Sequence, residues 1–464
     1  MPILTFALVA SALVAPLSTE SKHFPPVAPL ATVVSRETTK TNRIKFEEYR
    51  LPNGLRVILA PDSFAPVIAV NVTYDVGSRD EKPGRTGFAH LFEHMMFQGS
   101  ENVGKGEHIL LTTSVGGSMN GSTSQDRTNY YETLPKNQLK LGLFLEADRM
   151  RSLDISQINL DNQRAVVQEE RRQSYDNRAY GQSFEALLDL AYTNFAYKHS
   201  TIGSLADLDA ATLDDVRGFF ATYYAPNNAV LTVVGDFDTR QARQWIAEYF
   251  GPIPKKPDPP RVDPAEASRF TAGERRKTLS DKLARQTRIQ QAYVTVPGND
   301  PDYYALLILG DVLYSGRTSR MFRSLIDTGL ATAAGAGPSE GRGPSLFTIS
   351  ATLPPGKTGP AAIETVETEL NREVEKIVAN GVTEDEVKKA IQSNRVALAG
   401  SYRTSLSKAS TLSLYAIYFN DPDRINTLAD RLSKVTPKDV QAAAKKYLGK
   451  NNRSVVVVEP AKGI

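Results

Sequence analysis

The alternation of apolar and polar positions predicts β-strands near the start of the chain. Segments 49–59 and 67–77 are rich in Val, Ile and Leu, and Asn53-Gly54 forms a turn signal within the first segment. Short runs of this composition, bounded by turn residues, are typical of strands. We therefore expect a strand pair to open the folded part of the chain.

Two later segments have the spacing of helices. In residues 86–97, apolar side chains surround three polar ones, which is the pattern of a helix packed into a core. In segment 154–177 an inward-facing stripe recurs at helical spacing, formed by Leu160, Gln163, Val167, Glu170 and Ser174. Glu170 therefore lies on the buried side of this helix, and Glu169 points about a quarter turn away.

One pattern occurs twice, 224 residues apart. The first copy contains Thr212-Leu-Asp-Asp-Val216, Tyr223, Asn227-Asn228 and an apolar run over 231–234; the second contains Thr436-Pro-Lys-Asp-Val440, Tyr447, Asn451-Asn452 and an apolar run over 455–458. A helix, a loop and a buried strand thus repeat once. This repeat predicts two similar α+β halves produced by an internal duplication.

The proline content divides the chain further. Residues 251–264 contain too many prolines for a helix or a strand, and this composition is typical of a semi-rigid linker. We expect a first domain over 44–250, a linker over 251–268 and a second homologous domain over 269–464; the motif described below makes the first domain the candidate catalytic one. The length of 464 residues agrees with two domains of this size.

An apolar run from Ile3 to Ala15 precedes these domains, and Pro16 ends it. This run is too short to span a bilayer as a helix, but it suits the apolar core of a secretory signal peptide. The sequence therefore predicts residues 1–43 to be a signal peptide and tail, and the protein to be periplasmic or secreted, with no membrane span. No Lys or Arg precedes the run, so an N-terminal tail without a targeting role is the alternative.

Charge and cysteine content exclude several classes of function. The net charge is +3 with both signs interspersed, which gives no reason to expect nucleic acid or an anionic membrane as a partner. The chain contains no cysteine, so disulfides and thiolate chemistry are excluded. Any metal ion would be held by nitrogen and oxygen atoms.

The candidate chemistry lies in the helix predicted over 86–97, where His90, Glu93 and His94 form an H-x-x-E-H motif. On a helix the two imidazoles lie one turn apart on one face and can bind one zinc ion. Glu93, at the edge of that face, is placed to act as a general base. A catalytic zinc site needs a third protein ligand, and Glu169 and Glu170 are both candidates. A chance occurrence of the motif is the alternative.

Together these motifs resemble the M16 family of zinc metallopeptidases (pitrilysin, insulysin and mitochondrial processing peptidase), most closely its short bacterial M16B branch. The resemblance covers nearly the whole chain after residue 44, and implies two α/β-roll halves, each a mostly antiparallel sheet packed with helices. Arg164-Ala-Val-Val-Gln-Glu-Glu170 matches the family pattern for the third ligand, which implies that Glu170 binds the Zn²⁺ ion. Many members carry a glutamate behind the zinc where this chain has Gln163.

The family pattern also assigns residues outside the motif. Segment 116–126 resembles the edge strand to which a peptide substrate adds, and Asn120 matches a substrate-binding asparagine of that strand. A plain turn is the alternative for this segment. The remaining histidines, His23, His108 and His199, match no ligand position, and we interpret them as ordinary structural residues.

In the second half, the resemblance breaks down at two positions. Active members carry an arginine and a tyrosine that face the zinc, and in this chain Leu325 and Thr332 stand at those positions. M16B enzymes can divide the two functions between two chains. The resemblance therefore implies a zinc endopeptidase subunit whose homologous partner lacks the zinc motif and supplies the Arg/Tyr pair. Arg317, Arg320 or Arg323 could compensate for the missing arginine, but the simpler interpretation is that they are surface or interface charges on a helix.

A second hypothesis belongs to a different functional class. Because Gln163, Leu325 and Thr332 depart from the family pattern, the chain could be a catalytically silent structural or peptide-binding member of the same fold. Intact His90, Glu93, His94 and Glu170 favour the peptidase. Their two imidazoles and one carboxylate suit zinc, although such ligands also accept other divalent metals.

Overall fold

The computed structural model describes residues 43–263 and 273–461. The predicted signal peptide and the last residues of the predicted linker lie outside this part of the chain. From residue 44 onward the protein forms one compact unit. It is an α+β structure with two mixed sheets and many helices, which confirms the expected fold class.

The first half contains a six-stranded sheet in the order β1-β2-β6-β3-β5-β4 among the described residues. Its strands are β1 Glu47–Arg50, β2 Arg56–Pro61, β3 Val67–Tyr74, β4 Ser118–Thr123, β5 Thr128–Pro135 and β6 Ala229–Gly235. The helices of this half are α1 Phe88–Met95, α2 Glu107–Ser114, α3 Leu139–Arg151, α4 Gln157–Arg171, α5 Ser183–Ala191, α6 Phe195–Lys198, α7 Leu205–Asp209, α8 Leu213–Tyr223 and α9 Thr239–Phe250. All neighbouring strands are antiparallel except β2 and β6.

The second half contains a five-stranded sheet in the order β7-β11-β8-β10-β9 within the part of the chain that is described. Its strands are β7 Arg275–Asp281, β8 Arg288–Val294, β9 Ala333–Pro338, β10 Leu346–Thr352 and β11 Arg453–Pro460. Its helices are α10 Pro301–Tyr314, α11 Pro360–Asn380, α12 Glu384–Ser401, α13 Ser405–Phe419, α14 Arg424–Leu432 and α15 Pro437–Tyr447. Here β7 and β11 form the parallel pair.

One detail of the strand prediction is wrong. The turn at Asn53-Gly54 joins β1 to β2 as expected, but β2 does not pair with β3. Strand β6, from about 160 residues later in the chain, lies between them. Ile58 of β2 and Val233 of β6 are fully buried, so the apolar runs mark central strands without indicating which strands are neighbours.

The internal repeat predicted from the sequence is present in detail. Helices α8 and α15 both begin with a threonine that caps the helix, Thr212 and Thr436, each in a reciprocal capping box with an aspartate three residues later. After each helix, an asparagine side chain donates a hydrogen bond to the carbonyl oxygen of the last helical tyrosine: Asn228 to Tyr223 and Asn452 to Tyr447. The same local sequence therefore forms the same helix, loop and strand in both halves.

The two halves are interlocked. Helix α13 of the second half packs against β3 and β6 of the first sheet, where Leu412 contacts a cluster that includes Ala69 and Val230. In return, α5 of the first half packs against β8 and β11 of the second sheet. Each sheet therefore has one face covered by a helix from the other half.

The second face of the first sheet forms the largest core of this half. Strand residues such as Val70 and Leu231 pack there against α1, α3, α4, α8 and α9. The core thus places α1 and α4, which carry the predicted site residues, side by side. Among the described residues, no helix combines the length and the apolar character that a bilayer crossing requires.

Candidate metal centre

Helix α1 carries the H-x-x-E-H motif with its apolar side chains in the core and its two histidines toward α4. Phe88, Leu91, Phe92, Met95 and Met96 are buried in the first core. His90 and His94 lie one turn apart with ring centroids 4.8 Å from each other. The amphipathic pattern of this short helix therefore holds both imidazoles on one side, as predicted.

Glu170, at the end of α4, meets both histidines. Its Oε2 atom lies 3.6 Å from Nε2 of His90 and 3.4 Å from Nε2 of His94. These distances exceed those of good N–H···O hydrogen bonds. They match the separation of two ligand atoms around a tetrahedral zinc ion, which is roughly 3.3–3.4 Å for bonds of about 2.0–2.1 Å. Each imidazole nitrogen is therefore at a ligand–ligand distance from the carboxylate oxygen, and all three donor atoms lie within 4.8 Å of one another, as one zinc ion requires.

The protonation states of these residues also suit a metal. Burial and the neighbouring His94 lower the pKa of His90 from its ordinary value to about 4, so its imidazole is neutral at pH 7. Interaction with the adjacent His94 ring lowers the pKa of Glu170, which keeps the carboxylate ionised although burial opposes this. Neutral imidazole and ionised carboxylate are the metal-binding forms.

Glu169 lies outside this cluster. Its side chain is exposed, interacts with Arg172 and accepts a hydrogen bond from Gln173. The helix continues after Arg171 as a turn of π-helix over Arg172–Asp176. The structure therefore brings Glu170 to the histidines and turns Glu169 toward solvent.

Glu93 lies beside β4. Its Oε2 atom accepts a hydrogen bond of 2.6 Å from the hydroxyl of Thr123. A Cβ atom added at Gly121 would lie 2.9 Å from Oε1 of Glu93, so a larger residue there would displace the carboxylate from its present position. Burial raises the pKa of Glu93, while the Thr123 hydroxyl opposes this by stabilising the ionised form. A carboxyl group with a raised pKa next to the cluster suits a general base.

Strand β4 is an edge of the first sheet, and in the described structure it pairs only with β5. Asn120 is exposed on this strand, where its side chain accepts a hydrogen bond from the backbone amide of Gly121. Because strand side chains alternate, Asn120 points away from the face where Gly121 and Thr123 meet Glu93. The free backbone edge, rather than the Asn120 side chain, therefore adjoins the general-base candidate.

Gln163 is buried on the inward-facing stripe of α4, four residues before Val167. Among the described contacts, its side chain makes no hydrogen bond to a histidine. Its amide donates a hydrogen bond of 2.7 Å to the side chain of Asn162. Nδ1 of His90 is buried and has no hydrogen-bond partner in the described structure. A metal-binding histidine usually donates this second N–H to an acceptor, and neither Gln163 nor another described side chain provides one for His90.

The second half has no candidate catalytic side chain at positions 325 and 332, where the sequence departs from the family pattern. Leu325 is fully buried, and the hydroxyl of Thr332 interacts with Gln286 and the carbonyl of Thr352. Arg320 forms a bidentate ion pair with Glu386, while Arg317 and Arg323 are exposed. These arginines are engaged in local contacts or open to solvent, which agrees with the simpler interpretation made from the sequence.

A second group of potential ligands lies deeper in the first half. Nε2 of His108 lies 2.5 Å from Oε1 of Glu132, and Arg149 pairs with Glu146 nearby. Burial lowers the pKa of His108 to about 3 and raises that of Glu132 to about 8, which favours a neutral pair in which Glu132 donates the proton. The group balances its charges internally, so we assign no metal to it.

Sequence reasoning missed the environment of His199. This histidine contacts Glu81, whose carboxylate accepts hydrogen bonds from the backbone amides of Gly87 and Ala89 at the start of α1. Burial lowers the pKa of His199, but the Glu81 carboxylate more than compensates, so the pKa lies above its ordinary value. The two residues are 118 positions apart and no local spacing connects them.

Replacing Thr123 with valine is expected to move the acid side of the pH profile of kcat/KM to higher pH. The hydroxyl stabilises the ionised form of Glu93, so its removal raises the pKa of a group that must be deprotonated to act as a base. The measurement is kcat/KM for a peptide between pH 5 and 9, with Thr113→Val as the control, since the exposed Thr113 hydroxyl only bonds its own helix. An unchanged or downward-shifted profile would contradict the assignment of Glu93.

Comparison with known proteins relates the two halves to two family models. Residues 56–204 match the model described as insulinase (peptidase family M16), and residues 210–394 match the model described as the peptidase M16 inactive domain. The first match contains the whole cluster of His90, His94 and Glu170. Among the described residues, both groups of potential metal ligands, the one with Glu170 and the one with His108, belong to residues 56–204.

Several relatives share most of the chain. Zinc protease PqqE of Helicobacter pylori is 27% identical over 418 residues, which cover 90% of this chain and 93% of that protein. The crystal structure of a protease from Helicobacter pylori superposes with a TM-score of 0.84 at 27% identity, covering 90% of this chain and all of the other. The first half of the periplasmic protease PqqL from Escherichia coli has a TM-score of 0.72 at 19% identity, covering 90% of this chain and 92% of that one.

Proposed function

The chain belongs to peptidase family M16, and from that membership we propose that it is a zinc-dependent endopeptidase that hydrolyses peptide bonds of unfolded peptides. The convergence of His90, His94 and Glu170 on one point carries this proposal. We further propose that the chain is the zinc-bearing subunit of a heterodimer. Its catalytic part is the half formed by residues 44–250, and the part from 269 onward carries no metal.

The three converging side chains would hold the metal, one Zn²⁺ ion per chain. When bound, zinc supplies a Lewis acid that polarises a peptide carbonyl and makes water more acidic. His90 and His94 contribute nitrogen donors, of which His90 is neutral at pH 7, and Glu170 contributes one negative charge. With three protein ligands, one position is left open for the reaction.

Glu93 would move the proton in this reaction. Its carboxylate takes a proton from the attacking water and passes it to the nitrogen of the leaving amine. The hydroxyl of Thr123 orients the carboxylate by its hydrogen bond to Oε2. Because Gly121 packs against the same carboxylate, the position of Glu93 is fixed relative to strand β4.

The free edge of β4 would bind the substrate. A peptide in extended conformation can add to an unpaired strand edge through its own backbone, which favours unfolded segments over folded proteins. Because Glu93 contacts Gly121 and Thr123, a peptide on this edge would pass beside the general base. Asn120, exposed on the same strand, is proposed to contact the substrate from the other face.

Two observations support a partner chain. Leu325 and Thr332 give this chain no cationic or phenolic group at the positions of the Arg/Tyr pair, so a homologous subunit without the zinc motif would supply them. Helix α2, next to β4, also exposes Ile109, Leu110 and Leu111 to 50%, 63% and 36%. Three adjacent apolar residues exposed beside the proposed substrate strand favour a protein surface that another chain covers.

The expected location follows from the sequence. The apolar run near the N-terminus favours export, so we propose that the protein is periplasmic or secreted. The relative PqqL is described as a periplasmic protease.

The test is cleavage of a fluorogenic unstructured peptide by the purified chain, alone and with a homologous M16 chain that lacks H-x-x-E-H. We expect cleavage only when both chains are present, and its loss with 1,10-phenanthroline followed by recovery on addition of zinc. Bound zinc without cleavage in any combination would favour the second candidate, a silent structural or peptide-binding member. The departures at Gln163, Leu325 and Thr332 are the observations behind that alternative.

A further inference from the structure

The two helices that carry the candidate ligands are both held by one short loop, residues 199–204, which we call the 199–204 loop. We propose that this loop sets the distance between the start of α1 and the end of α4, and thereby the geometry of the metal site. His199, acting through Glu81, is the positioning residue for α1, and Arg171 is the positioning residue for α4. The inference rests on the proposed metal site and concerns how that site is held.

Glu81 connects the loop to α1. Its buried carboxylate accepts hydrogen bonds from the backbone amides of Gly87 and Ala89, at 3.0 Å and 2.8 Å. Helix α1 has no acidic residue in its own first turn and no side-chain cap at Gly87, so Glu81 satisfies amide groups that would otherwise be buried without a partner. Since Ala89 immediately precedes His90, a shift of this carboxylate shifts the first ligand.

His199 holds the Glu81 carboxylate in place. Its Nε2 atom lies 2.9 Å from Oε2 of Glu81 and 3.0 Å from the carbonyl oxygen of Ser78, while Nδ1 lies 2.8 Å from the carbonyl oxygen of Phe195. Both ring nitrogens thus face only oxygen acceptors, which requires both to carry a proton. The ring also stacks on Phe195 with centroids 4.4 Å apart, so its orientation is fixed from several sides.

Arg171 connects the same loop to α4. It directly follows Glu170, and its guanidinium donates a hydrogen bond to the carbonyl oxygen of Gly203. The same guanidinium makes a bidentate pair with Glu185 of α5, at 2.8 Å and 3.0 Å, and Ser200 of the loop also donates to Glu185. The end of α4 is therefore held to the loop by a chain of charge-assisted hydrogen bonds.

The backbones of the 199–204 loop and of the start of α1 are in direct contact, with no space between them for a side chain. A Cβ atom added at Gly203 would lie 2.4 Å from the backbone nitrogen and the Cα atom of Gly87. A Cβ atom at Gly87, which has a φ of 86°, would lie 2.6 Å from the carbonyl oxygen of Ile202. The start of α1 and the loop thus touch along their backbones, and a movement of one requires a movement of the other.

The test is the zinc affinity of the full chain, measured by competition with a fluorescent chelator and without any peptide. For His199→Ala we expect zinc to bind about 10–100-fold more weakly, as is typical when a residue that orients a metal ligand is removed. His199→Gln, which keeps one donor toward Glu81, should recover part of this loss. Arg171→Met should weaken zinc binding independently, because it acts on α4 rather than on α1.

The matched control is His108→Gln, a buried histidine of the same half whose ring interacts with Glu132 of β5. We expect it to lower the thermal midpoint of the metal-free protein while zinc affinity changes less than threefold. If His199→Ala and Arg171→Met lose no more affinity than this control does, the positioning role is wrong. Should His199→Ala fail to fold, His199→Gln and Arg171→Met decide by the same comparison.

The same titrations separate this inference from the proposed function. A wild-type chain that binds no zinc at equimolar ratio would overturn both. A wild-type chain that binds one zinc ion, with His199→Ala and Arg171→Met binding equally tightly, would overturn only the role of the 199–204 loop.

Discussion

Replacing Glu93 with glutamine is expected to lower kcat/KM for a peptide substrate by about 10²–10⁴-fold while the chain still binds zinc. Glutamine keeps the size of the side chain and an oxygen that can accept the Thr123 hydrogen bond, so the packing against Gly121 is retained. It cannot accept a proton from water. The variant therefore separates proton transfer from metal binding.

The measurement combines peptide cleavage with metal analysis of the same preparation. Wild-type and Glu93→Gln proteins should contain equal zinc, and only the wild type should be active with its partner chain. Activity within threefold of wild type would remove Glu93 from the mechanism. A loss of zinc in the variant would mean instead that Glu93 helps to hold the metal.

The second large effect is expected at the third ligand. Structural zinc sites with four ligands bind with about 10–16 kcal/mol, so removal of one ligand costs roughly 2.5–4 kcal/mol, or about 10²–10³-fold in affinity. For Glu170→Gln we expect a loss of this size, because the amide carries no charge and Oε2 lies between both imidazoles. Chelator competition measures it directly.

Glu169→Gln is a closely matched control. The two glutamates are neighbours on α4, but the Glu169 side chain is exposed and interacts only with Arg172 and Gln173 among the described contacts. We expect its zinc affinity to equal that of the wild type. Equal losses in both variants, or a larger loss for Glu169→Gln, would show that the third ligand has been assigned to the wrong residue.

Features that depend on local sequence could be predicted. The apolar face of α1 places His90 and His94 one turn apart, because helical periodicity alone determines that spacing. The repeat is equally local, since Thr212 and Thr436 each cap a helix through a residue three positions away. For these elements the interacting residues lie within one or two turns of each other.

Features that depend on contacts between distant segments could not be predicted. Nothing in β2 or β3 indicates that β6 lies between them, because central strands of a sheet share the same apolar composition. In the sequence, His199 is an isolated polar residue, and only the fold brings it into contact with Glu81. The choice between Glu169 and Glu170 was open from spacing and needed the family pattern, and the structure now gives the geometry on which that choice can be tested.

The exchange of α5 and α13 between the halves has a consequence for synthesis of the chain. The strands of the first sheet are complete at Gly235, but the helix that covers their outer face begins at Ser405, about 170 residues later. At roughly 5–20 residues per second, the ribosome needs on the order of ten to thirty seconds to supply it. During that interval Ala69 and Val230 have no covering helix, so the nascent first half cannot reach its final structure before nearly the whole chain has been translated.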